Sequence, residues 1–103
     1  MGRPKKEQER VEDLVWKDLL YYIILGMLSK EPMHGYEIRK RLIKMSGVEL
    51  SASTVYAVIY NLVKWKHIEG TWRGRRKVYK ITDKGEKVLN LARKIAKDVI
   101  IGE

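Results

Sequence analysis

Residues 50–81, LSASTVYAVIYNLVKWKHIEGTWRGRRKVYKI, change hydrophobic period halfway along. Over 51–66 the apolar residues recur at helical spacing. At about 100° per residue, Val55, Val58, Ile59 and Leu62 share one side, and Ser53, Ala57, Tyr60, Asn61 and Lys64 share the other. Ser51 is a favoured residue for starting that helix. From Ile68 the period falls to two. Residues 68–72 and 77–81 alternate apolar and polar around Arg73-Gly74-Arg75-Arg76, which reads as a hairpin. A helix with a buried face and a polar face therefore runs directly into a hairpin tipped with arginine.

The flanking segments complete the pattern. Residues 35–45 predict a shorter helix, with Tyr36, Ile38, Leu42 and Met45 as its inward stripe and Arg39, Lys40 and Lys44 outward; Ser46-Gly47 stops it. Residues 13–29 predict a helix whose centre, LLYYIILGML (19–28), is apolar on nearly every side, so it should meet more than one neighbour. Glu31-Pro32 ends it. After the hairpin, Thr82 or Asp83 caps a last helix, and Glu86 follows Asp83 at capping-box spacing. On that helix Val88, Leu91, Ala92, Ile95, Ala96 and Val99 lie on one side, and Leu89 and Ile100 widen the apolar face to about half the circumference.

The order helix, helix, helix, two-stranded hairpin, helix predicts an α+β, mainly α fold. It is a winged helix-turn-helix of three helices plus a two-stranded wing, extended by an N-terminal helix and a C-terminal dimerisation helix. The expected divisions are a basic N-terminal arm at 1–12, a winged-helix domain at 13–82 and a dimerisation helix at 83–103. Within the arm, Gly2-Arg3-Pro4 beside Lys5 and Lys6 resembles a minor-groove hook without its preceding arginine; a plain flexible tail is the favoured reading.

Composition narrows the chemistry. The 103 residues allow one domain, and the net charge of +9 favours a polyanionic partner. With no cysteine, the chain can form no disulfide, no thiolate zinc site and no cysteine nucleophile. The two histidines, His34 and His67, are far apart, and there is no nucleophile elbow, no phosphate-binding glycine loop and no metal-ligand spacing. The expectation is a protein that is not an enzyme and uses no cofactor or metal. The longest apolar run is too short to span a bilayer and the N-terminus is polar, so the expected setting is the cytoplasm, with no membrane partner.

Residues 71–80 hold Arg73, Arg75, Arg76, Lys77 and Lys80 and no acid. Such a tip repels itself unless phosphates neutralise it, although basic residues also protect strand edges from pairing. On the polar side of helix 51–66, small Ser53 and Ala57 permit close approach to base edges. Thr54, Tyr60 and Asn61 can hydrogen-bond there, and Lys64 is placed for phosphate. Tyr56 sits at the boundary of the two faces.

Three stretches resemble the PadR family of regulators: HGYEIRKRL (34–42), the 50–70 segment quoted above, and GRRKVYKITDKGEKVL (74–89). The single short C-terminal helix is similar to that of the family's short subgroup. The resemblance implies a homodimeric, repressor-like regulator of double-stranded DNA, with Tyr36, Ser53, Thr54, Tyr56, Tyr60, Lys64, Arg75 and Arg76 at the family's DNA-contacting positions. Two departures stand out. Ala57 occupies a position where members usually have proline, and Lys66 one where glycine usually ends the helix, so the wing is expected to leave at a different angle. Some members hold aromatic effectors between tryptophans of paired C-terminal helices; this helix has none, so a small-molecule effector lacks support.

Together the expected DNA-binding residues are Tyr36, Ser53, Thr54, Tyr56, Ala57, Tyr60, Asn61, Lys64, Arg73, Arg75, Arg76 and Lys77. The expected dimer contacts are Leu20, Ile24, Val88, Leu91, Ala92, Ile95 and Val99. The rival function is a winged-helix module that docks proteins, or binds DNA without sequence preference, within a transcription or chromatin assembly.

Overall fold

Three helix starts carry a side-chain cap. Ser51 Oγ accepts from the Thr54 amide at 3.2 Å, Thr82 Oγ1 from the Gly85 amide at 3.1 Å, and His34 Nδ1 from the Glu37 amide at 3.3 Å. Each bond satisfies one of the amides that the first helical turn leaves without a partner. The computed structural model describes residues 7–101, and side chains over 18–99. Its elements are α1 (Glu7–Lys30), β1 (Met33–His34), α2 (Gly35–Ser46), α3 (Ala52–Lys64), β2 (Ile68–Arg73), β3 (Arg76–Ile81) and α4 (Asp83–Ala96). A wider π-type turn over Lys97–Ile101 follows α4.

Helix α1 begins at Glu7 rather than Asp13, so residues 7–12, assigned above to the arm, are helical. Glu, Gln and Arg in EQERVE are strong helix formers, which extends the helix outward. The Gly2–Lys6 hook motif lies outside the described residues. The cap of α4 is Thr82 and not Asp83, which puts Gly85 rather than Glu86 at the reciprocal position, so no capping box forms.

The sheet has three strands in the order β1-β3-β2, all antiparallel. Sequence reading missed β1, because two residues are too few to show a period. Its pairing sets Met33 against Tyr79 and His34 against Val78. The hairpin strands run further than expected, to the pair Arg73 and Arg76, leaving a two-residue turn. Gly74 takes φ 63° there while Arg75 keeps a negative φ, as in a type II′ hairpin.

The core lies between α1, α2, α3 and the sheet. Ile24, Ile38, Val55, Leu62 and Ile68 are essentially inaccessible, each contributing about 1.5–3 kcal/mol of burial. The expected buried face of α3 (Val55, Val58, Ile59, Leu62) is the observed one. The expected stripe of α2 is not. Ile38 and Leu42 are buried, but Tyr36 is 64% and Met45 67% exposed. Tyr36 precedes Ile38 by two residues, roughly 200° round the helix, and so points the opposite way. Met45 lies in the last turn, at the edge of the core.

At the junction of α3 and the wing, Lys66 takes the cap position that glycine usually fills. Lys66 adopts φ 63°, the left-handed conformation usual for glycine there. Its amide donates to the Val63 carbonyl and that of His67 to Leu62, both at 2.9 Å, the paired bonds of a Schellman cap. The Thr82 hydroxyl donates to the Lys66 carbonyl at 2.6 Å and Lys84 Nζ to the Trp65 carbonyl at 3.0 Å, so α4's start offsets the strain.

Candidate nucleic-acid interface

Helix α3 presents Ser53, Ala57, Tyr60, Asn61 and Lys64 to solvent, as the helical projection places them. Thr54 is half-buried and held by the cap, its Oγ1 2.8 Å from Ser51 Oγ. One flank of the face is walled by α1. Thr54, Ala57, Asn61 and Lys64 line a cleft of ≈670 Å³ with Asp18, Tyr21 and Trp65. A ligand reaching Asn61 therefore also passes α1, which sequence reasoning did not foresee.

Tyr56 joins the other flank to α2. A Cβ built on Gly35 would stand 2.6 Å from both Cε1 and Oη of Tyr56, so a larger residue there would displace the ring from this position. Tyr56 remains 44% exposed, a boundary residue as expected. Beneath it, burial raises the Tyr79 hydroxyl above its ordinary range, with Tyr56 adding to the shift.

On the wing the five cations are not equivalent. Lys80 Nζ is 3.1 Å from Glu69 Oε1 on the paired strand, so its charge is answered within the molecule. Lys77 Nζ lies over the Trp72 ring, 5.7 Å from its centre. Arg73, Arg75 and Arg76 are exposed and make no ion pair among the described residues. A cleft of ≈460 Å³ between wing and helices is lined by Tyr36, Tyr56, Trp72, Arg75, Arg76 and Lys77, with His34 and Tyr79. Rings and guanidinium groups thus alternate along one surface. Trp72 was not singled out from the sequence, although an exposed aromatic beside three arginines was a readable signal for stacking.

On the opposite side, α1 and α4 form an apolar groove of ≈510 Å³ lined by Leu19, Tyr22, Ile23, Leu89, Ala92, Ile95 and Val99 among others. Leu91, Ile95 and Val99 are exposed, Val88 and Ala92 half-buried. Leu20 and Ile24, expected at a dimer contact, are instead in the chain's own core at 2% and 0% exposure. They share the face of Leu28, which meets α3 and the sheet, whereas Leu19, Tyr22, Ile23 and Gly26 form a second stripe rotated from it by one position. Two apolar faces exist on α1, as expected, but the outward one has other residues. Among the described residues no cluster of acidic or histidine side chains is arranged to hold a metal, and no helix is long and apolar enough to cross a membrane.

A three-helix core, a helix-turn-helix formed by α2 and α3, and a hairpin beside α3 define a winged-helix protein. The chain belongs to the PadR-like family of transcriptional regulators, whose family model matches residues 24–91. It is similar to a PadR-like transcription factor from Bacteroides fragilis, 26% identical over 90% of this chain and 94% of that one, with a TM-score of 0.80. It is also similar to a PadR-like regulator from Bacillus cereus, 32% identical over 84% of this chain and 88% of that one, TM-score 0.76. A regulator from Clostridium thermocellum is 25% identical over 85% and 92% of the two chains, TM-score 0.72. No functionally curated protein matches the chain.

Proposed function

We propose that the protein is a sequence-specific double-stranded DNA-binding repressor that acts as a homodimer. The observation that carries this reading is that the polar face of α3 and three wing arginines without an ion pair among the described residues are all exposed, with Tyr56 of α3 lining one cleft with Arg75 and Arg76. Ser53 and Ala57 are small enough for α3 to enter a major groove, with Tyr60 and Asn61 at base edges and Lys64 at the backbone. Arg73, Arg75 and Arg76 lie along the neighbouring phosphates, or one enters the minor groove. The apolar groove between α1 and α4, with Ile95 and Val99 on its rim, receives a second copy. A two-fold pair would set the two α3 helices against half-sites about one helical turn, roughly 34 Å, apart. Occupancy of such a site excludes other proteins from it, which is repression at its simplest.

The test is selection of bound fragments from random and genomic duplex DNA by the full chain. The expected result is enrichment of an inverted repeat. Binding without any enriched sequence would support instead a module that grips DNA non-specifically, since the wing alone suffices for that.

A further inference from the structure

His34 has more donors around it than its ring can accept. The Glu37 amide donates to Nδ1 at 3.3 Å, and Arg76 Nη1 lies 3.3 Å from Nε2. Arginine is a donor only, and a neutral imidazole carries one acceptor nitrogen and one N–H. With the helix cap made at Nδ1, the proton sits on Nε2, and two donors face each other. With Nε2 accepting from Arg76, the cap amide faces a donor instead. Neither tautomer satisfies both neighbours. An oxyanion beside the pair that accepts from both Nε2–H and the guanidinium answers both donors while the cap stays made.

The sheet makes this juxtaposition structural. β1 exists to pair His34 with Val78, and Arg76 is two residues along the same strand. The Tyr36 ring lies beside His34, with centroids 6.4 Å apart and planes inclined by 26°. Arg75 and Lys77 line the same cleft. The nearest acid, Glu37, does not answer Arg76. Its carboxylate accepts from Arg41 Nε at 2.9 Å, a bond that holds it below the usual carboxylate range. Arg41 in turn reaches Glu31 at 2.8 Å.

We infer that His34 and Arg76 together hold one phosphate group, at the point where the wing meets the start of α2. This rests on the DNA-binding reading for the source of the phosphate: a backbone phosphate beside the groove that α3 enters. His34 then has a binding role besides its helix cap, and wing and helix-turn-helix grip the same phosphate rather than separate ones.

The experiment is a double-mutant cycle on duplex binding with wild type, His34→Asn, Arg76→Gln and the double variant. Asparagine keeps the cap, because its side-chain oxygen serves as an N-cap acceptor, but it is too short to reach the anion. His34→Asn should weaken binding about tenfold per contact on every sequence, the low end for a hydrogen bond to a charged group. In the Arg76→Gln background the same change should cost at most about twofold, because the phosphate is already half released. Wild-type affinity for His34→Asn, or fully additive losses, would overturn the inference. A second measurement needs no variant: imidazole ¹⁵N resonances of the full chain titrated with inorganic phosphate alone. The Nε2 signal of His34 should move and that of His67 should not; no movement of His34 counts against the site. If wild type fails to bind any duplex while His34 responds to inorganic phosphate, the DNA reading falls and the site stands as one for free phosphate.

Discussion

Replacing Arg75 and Arg76 together by alanine separates the wing's real contacts from its mere charge. Both side chains are exposed and lack an ion pair among the described residues, and the His34 ring 3.3 Å from Arg76 Nη1 offers it no acceptor while it caps α2, so their substitution removes no internal contact of weight. A dimer carries four such arginines. Each phosphate neutralised contributes about 0.9 to the logarithmic salt slope, so the variant's slope should be shallower by about 3.6. Between about 50 and about 200 mM salt, that difference shrinks the wild type's advantage by roughly 150-fold. The control is Lys80→Ala. Lys80 carries the same formal charge four residues away, but Glu69 already answers it at 3.1 Å. If phosphate contact governs, its slope changes by far less than that of an arginine; if only net charge matters, each cation counts alike. Fluorescence anisotropy of a labelled duplex across the salt range measures both. A double variant with the wild-type slope, or a Lys80 variant that loses as much slope per residue as the arginines, would refute the assignment of the wing.

Three further outcomes are expected. Ile95→Asp with Val99→Asp places charge on the α1–α4 groove and should leave the folded chain monomeric at tens of micromolar by sedimentation equilibrium, where the wild type is expected to be a dimer; a wild-type monomer, or a double variant that stays dimeric, ends the dimer proposal. Gly85→Ala sets a Cβ 2.0 Å from the His67 carbonyl oxygen, so it should destabilise the fold by about 3 kcal/mol, read as a lower Tm. An unchanged Tm would mean that α4 can slide on the wing junction. His67 lies below its ordinary value of 6.5, first through burial and then through Lys84, while its Nδ1 meets the Tyr21 hydroxyl. The fold favours the neutral ring, so its contribution is complete above 6.5 and is lost as pH falls towards the lower folded value. His67→Gln should flatten Tm against pH in that window, and a slope identical to wild type would exclude His67 as its source.

Legibility in the sequence followed the strength of the local period. Helix α3 showed a buried and an exposed side because four apolar residues repeat over about two turns, and the structure keeps that division residue by residue. The wing was readable from alternation and a glycine turn. What failed depended on partners distant in the chain. Tyr36 looked like core because it is aromatic and lies in the first turn of an amphipathic helix, but its angle from Ile38 places it in the cleft facing the wing. Leu20 and Ile24 looked available because α1 is apolar all round, and no period within such a helix tells the core side from the outer one. Strand β1 carried no pattern of its own. Its only trace was Pro32, which favours extended backbone around it.

The same distant partners explain why a rigid wing can sit on so short a chain. Two connections hold it, one at the base of the hairpin and one at its mid-length. At its base, the Lys66 carbonyl receives the Thr82 hydroxyl, and the His67 carbonyl receives the Thr82 amide at 3.0 Å, so one residue ties the end of α3 to the start of α4. At its mid-length, β1 adds a third strand to what would otherwise be a two-stranded ribbon, which is marginal alone in water. The first connection sets the angle at which the hairpin leaves α3; the second sets how far the arginines stand from α2. A residue such as His34, which belongs to the strand, the cap of α2 and the cleft at once, is where those two constraints meet. The same bonds explain how a lysine at position 66 holds a left-handed cap. The cap geometry is over-determined by Thr82 and Lys84 from outside, so the local preference for glycine there is outvoted by bonds that α4 supplies.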